Sequence, residues 1–236
     1  MATTALLEQK KPFTRGLITG ASIALGYLPA ALTFGFLAKS TGLSFVETMA
    51  MSIFVYAGAA QYMALTLIAL GTGALEIIFT TFIVNIRHLL MSASVQNQVE
   101  EEHPIIKAIY SFGMTDEVFA VTTTQEGTLK TGFIFGVSVI AYASWVVNSG
   151  IGFLVGALLP SALQQSMGIA LYAMFIALLV PSLQKHRKVI YLALSAALLN
   201  SFFSFFLPSG WSIILATLLA SSGYELISRN RKDLQA

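Results

Sequence analysis

Three polar side chains lie within a strongly apolar run of the sequence. Residues 82–95 read FIVNIRHLLMSASV and contain Asn85, Arg87 and His88. A charge inside a membrane span costs about 2.5 kcal/mol or more, so such residues are usually paired or functional. Asn85 and His88 fall on one face of a 3.6-residue repeat and Arg87 falls on another. Two polar faces predict that this helix lies inside a bundle.

Asp116 is the expected counter-ion of Arg87. A short connection near residue 100 joins the two segments that carry these residues, which predicts an antiparallel hairpin. At a rise of about 1.5 Å per residue, Arg87 and Asp116 would then lie at similar depth. Glu117 is the second candidate, and a carboxylate left over in a low-dielectric cavity would take up a proton readily. An ion pair that only fixes helix register remains the alternative.

His88 has two interpretations. It is either a further proton-coupling group or a hydrogen-bonded interior histidine. It has no second ligand four residues away, so the sequence predicts no metal site.

The composition predicts an all-α polytopic membrane protein. The chain has 236 residues, of which 56% are hydrophobic and 10% charged, with a mean hydropathy of +0.77. Soluble domains average about 25% charged residues, and a spanning helix needs roughly 20 mainly apolar ones. Seven segments meet that requirement, and residues 105–127 are an eighth candidate. The seven are 16–38, 45–70, 74–96, 131–156, 162–181, 188–207 and 210–227.

These segments predict one integral-membrane domain over residues 1–236. Basic residues cluster near residues 10–15, 185–188 and 229–232. Because basic residues mark the cytoplasmic side, residues 1–15 and 228–236 are predicted to be cytoplasmic tails. This orientation requires residues 105–127 to cross, with the Glu100 to Glu102 run outside and Lys130 inside. A re-entrant segment is the alternative.

Three positions predict broken helices. Pro29 in the Gly26-Tyr27-Leu28-Pro29 stretch removes a backbone donor. The small residues from Tyr56 to Gln61 also interrupt an apolar segment, and Thr115 before two acidic residues is typical of a helix N-terminus. Interrupted segments indicate a transporter's binding site, although small residues also serve close helix packing.

The candidate residues divide into two groups. The predicted substrate-binding residues are Gly26, Tyr27, Pro29, Tyr56, Gly58, Gln61, Asn85 and Arg87. The predicted proton-coupling residues are His88, Asp116 and Glu117.

Other classes of function find little support in the sequence. The chain has no cysteine, which excludes disulfides, and a net charge of +2 does not favour nucleic acid. It contains no His-Glu-x-x-His, Gly-x-Ser-x-Gly or nucleotide-binding glycine motif. We therefore expect neither an enzyme nor a cofactor.

The order of these motifs resembles the AzlC-type branched-chain amino acid permease (azaleucine-resistance) family. The resemblance rests on the Gly26 to Pro29 element, the Ala57-Gly58-Ala59-Ala60-Gln61 run, the stretch from Asn85 to Ser94 and Thr115-Asp116-Glu117. It implies a prokaryotic inner-membrane exporter of valine, leucine and isoleucine. It also implies a second, small membrane subunit of the AzlD type as a partner.

The resulting hypothesis is a secondary transporter that exports branched-chain amino acids and is driven by protons. A passive channel for small zwitterions has the same helical features and remains an alternative. A membrane subunit that assembles a complex without transporting anything is another.

Overall fold

A computed structural model describes residues 11–125, 127–158 and 187–233, with positions 160, 162, 176, 179, 180, 183 and 184 between the last two ranges. The predicted segment 162–181 therefore lies largely outside the described residues. The regular elements of the described part are nine α-helices and one short 3-10 turn, which confirms the all-α prediction. The helices are α1 (Pro12–Ser40), α2 (Phe45–Phe54), α3 (Gly58–Ala69), α4 (Ala74–Gln96), α5 (Pro104–Phe112), α6 (Asp116–Thr123), α7 (Thr131–Val155), α8 (Arg187–Phe203) and α9 (Ser209–Asp233). Among the described residues, α1, α4 and α7 are long and apolar enough to cross a membrane.

The chain divides into two compact units. The first comprises Met1–Leu65 and Val84–Leu171, and the second comprises Thr66–Ile83 and Tyr172–Ala236. In the second unit, a carboxylate oxygen of Glu76 accepts hydrogen bonds from the first N–H groups of α9, those of Gly210 at 2.9 Å and Trp211 at 3.3 Å. These groups have no partner within the helix, so Glu76 caps α9. The candidate site lies in the first unit.

Helices α1 and α7 run parallel and touch along their backbones. A Cβ on Gly16 would overlap the carbonyl of Phe133, and a Cβ on Gly136 would overlap that of Phe13. Each glycine thus faces the carbonyl three residues before its counterpart. Only glycine allows two helix backbones to approach this closely.

The same reciprocal contact recurs near the other end of the pair. A Cβ on Gly35 would overlap the carbonyl of Ser149, and one on Gly152 would overlap that of Leu32. The pair α1 and α7 is therefore in backbone contact over most of its length, and it forms the frame of the first unit.

The predicted break at Gly26 to Pro29 is wrong, because α1 continues through Pro29. Proline removes the hydrogen bond to the Leu25 carbonyl, four residues earlier. Helix α7 packs against this turn, where the Ser144 hydroxyl donates to the adjacent Ala24 carbonyl at 2.7 Å. Sequence alone could not show that a donor from α7 would lie there.

The predicted break after Tyr56 is present, because α2 ends at Phe54 and α3 begins at Gly58. The chain reverses there. Phe45 lies against Phe153 near the end of α7, with ring centroids 5.5 Å apart, whereas the Tyr142 hydroxyl reaches the Ile53 carbonyl at 3.0 Å. Helix α2 therefore runs antiparallel to α7 and stops midway along it.

Helix α3 returns towards the end of the unit from which α2 came. Gly58 packs against Trp145 in the middle of α7, and Tyr62 donates to the Ala30 carbonyl of α1 at 2.7 Å. Gln61 of α3 lies beside Ser52 of α2, with a 3.3 Å hydrogen bond between the side chains. Residues 45–70 thus form a re-entrant helical hairpin, called hairpin A here, and the prediction that they make one crossing is wrong.

Residues 104–123 form a second helical hairpin, hairpin B. Helix α5 ends at Phe112, Gly113 to Thr115 form the tip and α6 starts at Asp116. At its base, Val99 and Leu129 form a parallel β-bridge, and the Glu100 carboxylate binds the Lys130 ammonium at 2.8 Å. The two ends of this segment therefore lie together.

This base contradicts the predicted eighth crossing. Glu100 and Lys130 were assigned to opposite sides, yet they form an ion pair. The hydrogen bond from Lys130 holds the pKa of Glu100 below its usual value. A helix of nine residues is about 14 Å long, half the hydrocarbon thickness, so α5 reaches the middle of a bilayer and α6 returns from it.

With two re-entrant hairpins, the basic residues near the start of α1 and α7 lie on one side of the membrane without a crossing by residues 105–127. With hairpins A and B both returning to their own sides, the start of α1 and Lys130 lie at the same end of the unit. Pro12 packs near Gly132 there, with 3.6 Å between the proline Cβ and a Cβ built on the glycine. The two basic regions thus agree with the positive-inside rule without an extra crossing.

The contact between α1 and α7 predicts that Gly35→Ala destabilises the protein. A methyl group at Gly35 overlaps the Ser149 carbonyl, and overpacking of this kind costs about 1 to 3 kcal/mol. Thermal unfolding of the purified protein in detergent should begin several degrees lower. Gly223→Ala in α9 is the matched control, since a Cβ there meets nothing within 4 Å. Equal melting of the two variants would contradict the packing.

Hairpin B predicts that Gln98 and Thr128 face the same side of the membrane. The chain has no cysteine, so single cysteines at these exposed positions can be labelled with an impermeant maleimide. Both should react in intact cells or both in inverted vesicles, and Ser40→Cys should show the opposite pattern. Labelling of Gln98→Cys and Thr128→Cys from different sides would contradict hairpin B and support a membrane crossing by residues 105–127.

Candidate functional site

The tips of the two hairpins meet on α7. Tyr142 donates to the Ile53 carbonyl of hairpin A, and Ser138, one turn earlier, donates to the Gly113 carbonyl of hairpin B at 3.4 Å. A backbone carbonyl left free in hydrocarbon costs several kcal/mol, so α7 stabilises both breaks. Polar groups therefore converge where the two tips approach each other.

Arg87 pairs with Asp116 as the sequence predicted. The Nη1 to Oδ2 distance is 2.9 Å, and the two side chains are 35% and 25% exposed. Helix α4 supplies Arg87, and Asp116 is the first residue of α6. Both charges belong to the middle of the membrane, where lipid cannot solvate them, so water or protein must cover their exposed parts.

Glu117 forms a separate cluster on the other side of the tip. Its carboxylate accepts a hydrogen bond from the Tyr27 hydroxyl. The Tyr27 oxygen also lies 2.7 Å from the Thr115 hydroxyl, which caps α6 by accepting from the N–H of Val118. Tyr27 is only 4% exposed. The two adjacent acids thus have different partners, a cation for Asp116 and the Tyr27 hydroxyl for Glu117.

His88 is anchored to the tip of hairpin B. Its Nδ1 lies 3.0 Å from the Met114 carbonyl, which can only accept, so Nδ1 carries the hydrogen. In the neutral ring Nε2 is then an acceptor, and this buried atom has no hydrogen-bond partner among the described residues. The buried side-chain oxygen of Asn85, on the same helix, is also without a partner in the described part of the chain.

Tyr56 belongs to a cluster of three aromatic rings beside the site. It is 4% exposed, and its buried hydroxyl makes no hydrogen bond to a described residue. Its ring centroid lies 5.0 Å from that of Tyr142 and 6.2 Å from that of Phe112, and the latter two lie 6.0 Å apart. The negative faces of three such rings favour a cation or an apolar group.

Gln61 and Gly58 are tied into the packing around Trp145. The indole N–H donates to Gln61 at 2.8 Å, and a Cβ on Gly58 would come within 2.8 Å of the indole ring. The Trp145 ring also meets that of Tyr27 edge to face at 5.3 Å. These contacts explain why a glutamine and a glycine occupy these positions, and their role in binding stays a prediction.

The remaining predicted residues lie apart from this cluster. Gly26 and Pro29 are exposed on α1, and no described atom lies within 4 Å of a Cβ built on Gly26. No group of three or more acidic, cysteine or histidine residues in the described part of the chain could hold a metal ion. The structure thus gathers Tyr27, Tyr56, Arg87, His88, Asp116 and Glu117 and leaves Gly26 and Pro29 at the surface.

Sequence reasoning missed the contribution of α7. Ser138, Tyr142 and Trp145 lie four and then three residues apart, so they share one face of the helix. One contacts hairpin B, and the other two contact hairpin A. Their spacing in an otherwise apolar span was the available signal.

The ion pair predicts non-additive effects of Arg87→Met and Asp116→Leu. Each single variant leaves one charge unpaired at membrane depth, which costs about 2.5 kcal/mol or more. The double variant should recover most of that loss, as measured by unfolding in mixed micelles. Lys188→Met removes one partner of an exposed pair with Glu225 and should have little effect. Strictly additive losses would contradict the pairing.

Comparisons with known proteins identify relatives of this chain. The AzlC protein family matches residues 22–159. An uncharacterized membrane protein of Archaeoglobus fulgidus is 33% identical over 180 residues, which cover 75% of this chain and 79% of that protein. The inner membrane protein YgaZ of Escherichia coli is 28% identical over 197 residues, covering 80% of this chain and 79% of YgaZ.

A further relative is named for a transport activity. The branched-chain amino acid transport protein AzlC of Bacillus subtilis is 26% identical over 211 residues, which cover 88% of this chain and 81% of that protein. No solved structure matches the chain. These relatives and the apolar helices confirm a multi-pass inner-membrane protein. The family match covers more than half of the sequence and spans both hairpins and the ion pair, so the chain belongs to the AzlC protein family.

Proposed function

We propose that this chain is a secondary transporter that exports branched-chain amino acids across the cytoplasmic membrane in exchange for protons. The observation that supports it most is the meeting of two re-entrant hairpins at a polar centre. Irregular backbone is tolerated at membrane depth only where protein buries it or a watery cavity lines it. The substrate named for the Bacillus subtilis relative supports the choice of amino acid.

The hairpin tips offer groups for both ends of a zwitterion. Helix α3 begins after Ala57, whose side chain has no acceptor, so its first N–H groups are available to a carboxylate. Arg87 is a second candidate for that carboxylate, or for holding the coupling acid. Tyr27 and Tyr56 supply apolar surface for the aliphatic side chain.

Proton coupling is assigned to the acids of hairpin B and to His88. Asp116 is neutralised by Arg87. Glu117 has one hydroxyl partner and no cation among the described residues, so the transported proton is assigned to the Glu117 carboxylate. His88 could pass protons through its free Nε2.

A small membrane partner subunit, of the AzlD type, is part of this proposal. Helix α4 is apolar enough to span a membrane, but only 6% of the residues in its most apolar stretch are buried within the chain. The same helix carries the partly exposed Arg87. A partner that packs on α4 would cover this charge better than lipid can.

Transport should respond to an imposed pH gradient. In inverted vesicles that contain the chain and its partner, an acidic lumen should increase labelled valine uptake several-fold, because protons leave as valine enters. Unlabelled valine inside should also accelerate uptake of labelled valine, which a channel would not show. Glu225→Gln, at an exposed position of α9, serves as the matched control and should transport normally.

Three results separate the alternatives. Uptake that ignores the pH gradient but shows counterflow removes the proton coupling. Uptake without counterflow indicates a channel. If Arg87→Met and Asp116→Leu leave flux unchanged while removal of the partner abolishes it, the chain is an assembly subunit.

A further inference from the structure

We propose that Glu117 and Tyr56 together bind the ammonium group of the substrate, so that substrate and proton compete for one carboxylate. This inference rests on the proposed function and names the part of the site that couples the two movements. The chemical class it assigns to the site is a primary alkylammonium ion with an aliphatic chain.

Glu117 has unused capacity for a cation. A carboxylate has about four lone-pair directions, and Tyr27 supplies one hydrogen bond. Arg87 is occupied by Asp116, and none of the ion pairs among the described residues includes Glu117. A negative charge next to the middle of the membrane without a cation is costly, so a bound proton or a bound ammonium would stabilise it.

Tyr56 is a second, independent sign of a ligand. Its side chain is more than nine-tenths buried, and its buried hydroxyl has no hydrogen-bond partner in the described part of the chain. The Tyr56 ring lies 6.2 Å from that of Phe112, the last residue of α5, and Glu117 is the second residue of α6, so both groups lie at the tip of hairpin B. An ammonium ion carries three donors and would satisfy both oxygens at once.

The rings beside Tyr56 also suit a cation. Phe112 and Tyr142 lie within 6.2 Å of Tyr56 from ring centre to ring centre. An ammonium ion near an aromatic face is stabilised by about 0.5 to 2 kcal/mol, more when water is excluded. A carboxylate would gain nothing from these faces, so the geometry favours the amine end of the substrate here.

Other titratable groups lie around the tip of hairpin B on each neighbouring element. Helix α1 contributes a tyrosine, hairpin A another and α7 a third, while α4 contributes a paired arginine and a histidine. In that order they are Tyr27, Tyr56, Tyr142, Arg87 and His88. The arginine charge is already balanced by Asp116, which leaves Glu117 as the acid that changes state.

The exchange follows from competition at a single group. When an ammonium ion binds the protonated carboxyl, the carboxyl releases its proton to water and the ammonium–carboxylate pair forms. When the substrate leaves, a proton returns to the carboxylate. The two occupants exclude each other. Each time the site turns from one side of the membrane to the other, it therefore holds either a substrate or a proton, and the protein exchanges one for the other.

The test measures proton release when ligands bind to the purified full chain with its partner. In weakly buffered solution at mildly acidic pH, leucine should release up to about one proton per molecule bound. Isoamylamine, which has the ammonium without the carboxylate, should also release protons. The probe 4-methylpentanoate, which has the carboxylate alone, should release none. These ligands test the wild-type protein and require no variant to fold.

Variants assign the proton to its residue. Glu117→Gln should bind leucine more weakly and without proton release, and its affinity should no longer fall by up to about tenfold per unit of decreasing pH. Tyr56→Phe should weaken binding but keep the release. Glu102→Gln, in the loop at the base of hairpin B, should behave like the wild type.

The outcomes separate this inference from the proposed function. Proton release that persists in Glu117→Gln, or that follows 4-methylpentanoate rather than isoamylamine, overturns the shared carboxylate. Leucine binding without any release does the same, while the transporter proposal stands. No leucine binding by the wild-type protein with its partner overturns both.

Discussion

Backbone groups that are not hydrogen-bonded within a helix must find partners inside the membrane, and this constraint shapes the first unit. Hairpins A and B each expose carbonyl and N–H groups where their helices stop. Helix α7 provides the hydroxyls of Ser138 and Tyr142 for one carbonyl at each tip. Polar side chains are therefore required at this depth for structural reasons, and the same requirement supplies the polar groups of the candidate site.

The frame that holds these donors in place is the contact between α1 and α7. Tyr27 of α1 reaches hairpin B through Thr115 and Glu117, while Trp145 of α7 reaches hairpin A through Gln61. The two aromatic side chains also touch each other. A displacement of either hairpin tip would therefore change the contacts of this aromatic pair.

Sequence reasoning found the local features and missed the reversals. The breaks near Tyr56 and Thr115 and the pair of Arg87 with Asp116 follow from residue type and helical spacing. The prediction at Pro29 was wrong, because whether a helix breaks at proline also depends on how other helices pack against it. Residues 45–70 and 105–127 are long enough to cross, so length alone could not distinguish a crossing from a hairpin. That distinction depends on the bridge between Val99 and Leu129 and on the contact between Ser52 and Gln61.

The glycine contacts between α1 and α7 are reciprocal, since each helix offers its glycines to the carbonyls of the other. A side chain added at Gly16 displaces the stretch that contains Gly136, and the reverse is equally true. Separating the backbones at one glycine would also loosen the carbonyl contact of its counterpart. The two lines of glycines therefore act as one steric unit, and the spacing of the two helices depends on both.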